Sequence, residues 1–320
     1  MHGLALPKNI ASLALIAFSN VLLIAFSGAL AGWSLFFAVL NISVISGMAS
    51  WFFIFDGFQF SGEGEFKASA GVLSSMVLLN GFFSWSQGHL NLNSMLITSA
   101  QSIVPYMIIF SGKRVADNLL FDLAAIGLLF SVPTLFDASE LWVLKNGTPI
   151  SALPLLISAM SAVVIFKFKL TDMFYLPLGI SKQEFVGALF VVAATISSLV
   201  FVKAFSGQTA SVEGLNWATI FPFGWVAYVI PALFGEILYR AVLMNWVTKV
   251  SGSFSMGLVV SAVLFAVFES GYLMSDNNIA LYSGFFLGLF NGIAYHRVGS
   301  LTVPVLANVG YISTLVLLGL

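Results

Sequence analysis

Apolar residues in this chain come in runs too long for the interior of a water-soluble protein. No Asp, Glu, Lys or Arg occurs from Asn9 through Phe55. One bilayer crossing takes about 20 residues, so this stretch is long enough for two. Gly28, Gly32 and Trp33 mark a tight turn inside it and predict spans over 10–31 and 34–55. The small residues Ser27 to Ala31 resemble a signal-cleavage site, but a second apolar run follows at once, so the first run is read as a span. Further runs lie at 69–87, 95–112, 118–136, 149–166, 184–205, 217–247, 254–273, 279–296 and 300–320. Polar breaks separate them, such as Asp56–Lys67, Lys113–Asp117, Lys167–Lys182 and Ser275–Asn278. Short breaks set consecutive helices side by side and antiparallel. The expected fold is all-α: a polytopic transmembrane helix bundle of about 10–11 spans.

The basic residues give this threading a direction. With the N-terminus in the cytoplasm and eleven spans, the inside breaks hold Lys8, Lys67, Lys113, Arg114, Lys167, Lys169, Lys182, Lys249 and Arg297. The outside breaks hold Lys145 and Lys203. Cytoplasmic loops carry the excess of Lys and Arg. The expectation is an integral protein of the cytoplasmic (inner) membrane, N-terminus cytoplasmic and C-terminus outside.

Composition agrees and narrows the chemistry. Of 320 residues, 59% are hydrophobic and 8% charged; a soluble domain carries about 25% charged residues. A net charge of -1 gives no support to a nucleic-acid partner. The absence of cysteine excludes disulfides, thiolate metal sites and cysteine nucleophiles. The three histidines, His2, His89 and His296, lie far apart in sequence, so no metal or other cofactor is expected. The expected partners are membrane lipid and a membrane-anchored peptide or protein substrate.

Ionisable groups inside hydrocarbon are costly and mark candidate sites. Glu236, Arg240 and Glu269 fall within apolar runs, and the last run holds Asn308. Glu236 and Arg240 are one helical turn apart and can pair. Asp122 sits about one turn into its span and is expected to reach the interface. His296, beside Arg297, reads as an interfacial residue. Three late spans can therefore aim polar groups into one cavity. The alternatives stay open: Glu236–Arg240 as a structural ion pair, Glu269 as an interfacial carboxylate, and Asn308 as a hydrogen bond between helices.

The same residues carry a family resemblance. Gly235-Glu236-Ile237-Leu238-Tyr239-Arg240 resembles the Glu-Glu-x-x-x-Arg motif of the CAAX protease and bacteriocin-processing membrane superfamily. Phe265 to Glu269 resembles its Phe-x-x-x-His motif, Gly288 to Leu301 its penultimate helix and following turn, and Asn308 to Ile312 its His-x-x-x-Asn motif. The resemblance covers about residues 180–320. It implies a CAAX-protease-like domain over 181–320, behind N-terminal transmembrane helices of unrecognised type over 1–180. Members are glutamic intramembrane endopeptidases, in which a glutamate activates water while histidines and an asparagine bind it and stabilise the oxyanion.

This chain departs from the pattern at four positions. Gly235 replaces the first Glu, Glu269 and Asn308 replace the two His, and Ile312 replaces the Asn. Two readings follow. In one, the site is rebuilt: Glu269 supplies the missing carboxylate, Asn308 the oxyanion donor, and Glu236–Arg240 the scaffold. In the other, proteolysis is weakened or lost and the fold serves as a membrane scaffold. A base and its oxyanion donors act as a unit, so losing four positions together favours the second. A transporter ranks last, because no internal repeat is visible.

Overall fold

The structure is a computed structural model. It describes helical residues between 70 and 85, residues 92–115, 119–135, 158, 161–162, 181–206, 232–269 and 278–318. Among the described residues all regular structure is helical and no strand occurs, as the all-α expectation required. The spans expected at 10–31 and 34–55 lie outside the described residues. The chain forms two compact units, Met1–Lys169 and Leu170–Leu320.

In the first unit, helix α1 (Leu92–Val115) packs against α2 (Leu119–Leu135). Pro105 lies inside α1, where it removes one backbone hydrogen bond. Asp122 is 8% exposed and sits in the first turn of α2, where free N–H groups favour a carboxylate.

Among its described residues the second unit shows five helices. Helix α3 (Lys182–Ser206) starts at a reciprocal cap. The Glu184 N–H donates to Ser181 Oγ at 3.2 Å, and the Ser181 N–H donates to Glu184 Oε2 at 2.6 Å. Helix α4 begins α-helical over 232–236, widens into a π-helix over Ile237–Met244 and returns to α over Asn245–Ser251. All eight residues of the π stretch are buried. Then follow α5 (Phe254–Glu269), α6 (Asn278–Val298) and α7 (Thr302–Leu318).

Two glycines make the tight turns. Gly252 (φ +66°) closes α4 and Gly299 (φ +68°) closes α6; both adopt the left-handed conformation that other residues resist. These turns fold α4 back on α5 and α6 back on α7. In contrast, α3 runs parallel to α7: Gly187 meets Val303 and, further along, Val192 meets Gly310.

Association between helices in lipid depends on close packing, because lipid tails are as apolar as the side chains they would replace. The α5–α6 pair meets this demand with small residues. A Cβ added to Gly288 would come 3.1 Å from Ala262 Cα, and one added to Gly292 would collide with Leu258 Cδ1. Among the described residues no helix is long and apolar enough to cross a membrane. The apolar runs extend further than the description does: 217–247 is described from residue 232, and 254–273 as far as Glu269.

Candidate functional site

The polar centre of the second unit is built on Glu236, in the last α-helical residue before the π stretch. Its side chain has no solvent exposure, and neither has that of Arg240. Arg240 Nε lies 3.0 Å from Glu236 Oε2. The other carboxylate oxygen, Oε1, accepts two amide hydrogen bonds: one from Asn308 Nδ2 at 2.6 Å, across from α7, and one from Asn291 Nδ2 at 3.0 Å, across from α6. Asn291 Nδ2 also faces Asn308 Oδ1 at 3.3 Å and the Pro304 carbonyl at 3.5 Å. One carboxylate oxygen thus joins three helices.

The guanidinium is held as tightly. Arg240 Nη1 donates to Ser261 Oγ at 2.8 Å, and that hydroxyl donates to the Tyr239 carbonyl at 2.9 Å. Several hydroxyls bond back into their own helix, as Ser102 does to Thr98 and Thr195 to Val191. Ser261 instead works across from α5 to α4. The Arg240 plane stands over the Phe265 ring, Cζ 4.9 Å from its centroid. Phe265 in turn meets Tyr239 edge-on at 5.2 Å.

Three of the four sequence-derived site residues, Glu236, Arg240 and Asn308, therefore converge. The fourth, Glu269, ends α5, one turn beyond Phe265; its side chain lies outside the described residues. The same holds for the side chain of Ile312. Gly235 is buried beside Glu236. Asn291 and Ser261 were missed. The signal for Asn291 was present: a primary amide in the middle of an apolar run needs a partner on another helix. His296 is exposed, as an interfacial residue should be, and stacks on Phe254 with ring centroids 4.0 Å apart.

Residues 216–311 match the family model for the type II CAAX prenyl endopeptidase Rce1-like proteins. This stretch is similar to the CAAX-protease superfamily. No curated protein and no solved structure matches the chain. The Rce1-like stretch contains Glu236, Arg240, Ser261, Asn291 and Asn308, hence every residue of the polar centre just described. It is narrower than the 180–320 of the sequence resemblance and stops at Tyr311, one residue before the substituted Ile312.

Chemically, the centre of the Rce1-like stretch is a buried ion pair whose acid also accepts from two amides. A carboxylate offers about four lone-pair directions. Oε1 spends two on amides, and Oε2 is ion-paired with Arg240 Nε. A general base needs its proton donor, here water, within about 2.6–3.2 Å. Glu236 is sealed from solvent, and protein amides satisfy its Oε1.

Proposed function

We propose that this chain is an integral membrane protein in which an Rce1-like helical domain serves as a non-hydrolytic scaffold for a lipid or membrane-embedded partner. The observation that carries this reading is the full burial of Glu236, with Oε1 on two asparagine amides and Oε2 against the Arg240 guanidinium. In a working glutamic site a carboxylate is kept available for water; here two amides occupy one oxygen and a guanidinium stands at ion-pair distance from the other. The substitutions at Gly235, Glu269, Asn308 and Ile312 point the same way, since they remove the partners a water-activating glutamate requires.

Membrane residence rests on composition and on side chains that face outward. On α3, Phe185, Val186, Leu189 and Phe190 are all exposed, Phe190 to 72%. A contiguous apolar face of this kind is costly in water and ordinary in lipid. The eleven-span threading, with the N-terminus in the cytoplasm, is part of the same proposal.

The test is direct. The purified full chain, in detergent or vesicles, is offered a prenylated CAAX peptide and release of the terminal tripeptide is followed. The scaffold reading expects none above a protein-free control. Release that disappears in a folded Glu269→Gln variant would establish the second reading, a rebuilt peptidase. That reading draws support from register: Ser261, Phe265 and Glu269 recur every four residues along α5, and the first two contact Arg240.

A further inference from the structure

Five helix termini gather at one end of the second unit. The turn at Gly252 brings the end of α4 to the start of α5, and the turn at Gly299 brings the end of α6 to the start of α7. The Phe254–His296 stack ties those two turns together. The parallel run of α3 beside α7 adds the start of α3 to the same end. Three helix N-termini and two C-termini therefore share it, a mildly positive balance of helix dipoles.

Side-chain charge adds to that balance. Lys182, Lys249, His296 and Arg297 all lie at this end, and all are exposed. The carboxylate nearest to them in sequence, Glu184, is 8% exposed and capped onto Ser181. Among the described residues of this unit the remaining acids are Glu236, buried in the centre, and Glu269, at the opposite terminus of α5. One or two turns inward the exposed side chains become large and apolar: Phe185 and Phe190 on α3, Met256 and Val259 on α5, Ile293 on α6. Cations at the rim followed by outward apolar side chains match the order of headgroup and acyl layers. The positive-inside count, made without any knowledge of packing, assigned Lys182, Lys249 and Arg297 to one side of the membrane; the fold gathers these three at one end.

We infer that this end of the unit is a headgroup-binding face for anionic phospholipid in the cytoplasmic leaflet, with Lys182, Lys249 and Arg297 as its contacts. The inference rests on the membrane reading above and adds the lipid class and the contact residues. Each cation close to an anionic surface is worth about fivefold in association, and the attraction weakens with salt.

The experiment uses the full chain in phosphatidylcholine vesicles carrying spin-labelled phosphatidylglycerol or spin-labelled phosphatidylcholine. Electron spin resonance gives the relative association of each probe. The wild type should prefer phosphatidylglycerol, and the preference should shrink as ionic strength rises. The triple variant K182Q/K249Q/R297Q should lose at least about fivefold of that preference, while K203Q, near the other terminus of α3, keeps it. A preference that survives the triple substitution, or that ignores salt in the wild type, overturns the inference. Should the triple variant misfold, K249Q and the salt series decide alone. Release of the wild type from vesicles by alkaline carbonate would instead remove the membrane reading itself.

Discussion

The Glu236–Arg240 pair gives the most demanding prediction. Consider Glu236→Gln, which keeps the shape and removes the charge. The carboxylate now accepts from Asn291 and Asn308 on one oxygen and is ion-paired with Arg240 through the other. A glutamine has one oxygen and one NH2 group. Turned toward the asparagines, it presents N–H to the Arg240 Nε–H; turned toward Arg240, it presents N–H to two amide N–H groups. Either way donors oppose donors, and a fully buried guanidinium loses its counter-ion. Removing one partner of a buried ion pair costs about 3–5 kcal/mol. Neutral hydrogen bonds between membrane helices average about 0.6 kcal/mol, so the charge dominates the loss. Whole domains are stable by about 5–15 kcal/mol, so the variant should approach unfolding. The assay is thermal denaturation of the full chain in mild detergent, read as the fraction remaining monodisperse on size exclusion. Replacing both partners by apolar residues, Glu236→Leu with Arg240→Met, should recover most of the stability, because no buried charge is left unpaired. If Glu236→Gln melts with the wild type, or if the double variant is no better than Arg240→Met alone, the pair is not holding the helices.

Three other outcomes follow from the same geometry. Asn308→Leu removes the shorter donor to Glu236 and the acceptor for Asn291, and should cost about 1.5–3 kcal/mol, the range for hydrogen bonds to charged groups, in the same melting assay. Gly257→Ala should be harsher than Gly288→Ala, since the new methyl would meet the Met244 backbone carbonyl at 2.6 Å and not the 3.1 Å approach found at Gly288; overpacking of this kind costs about 1–3 kcal/mol, and expression with monodispersity ranks the two. The chain has no cysteine, so single cysteines report position cleanly. Ser253 and Phe190 are both exposed, yet in intact membranes a charged maleimide should label Ser253→Cys and spare Phe190→Cys; equal labelling would mean that water reaches both.

Much of this arrangement was readable before any coordinates. Glu236, Arg240 and Asn308 stood out because an ionised or amide side chain in an apolar run has few places to go except inward. Glu236 and Arg240, four residues apart, were expected to pair and do. What the sequence hid was orientation. The helices of the second unit are apolar on nearly every side, so periodicity does not reveal which face is internal. Asn291 was visible as a residue but not as the bridge between Glu236 and Asn308. Ser261 looked like any small residue of a membrane helix, and only the approach of Tyr239 and Arg240 gives its hydroxyl a purpose. The π stretch over Ile237–Met244 leaves no mark in the hydrophobic pattern, because all eight of its residues are buried whichever way the turn is wound.

The oxygen shared by residues 291 and 308 also bears on how such a chain can change over generations. A lineage that drops the acid at 236 strands two amides and a guanidinium at one stroke, and a lineage that drops either amide weakens the hold on the acid. Positions 236, 240, 291 and 308 should therefore change as a block: near relatives should keep all four, or show all four exchanged for uncharged, apolar residues, with few sequences caught between.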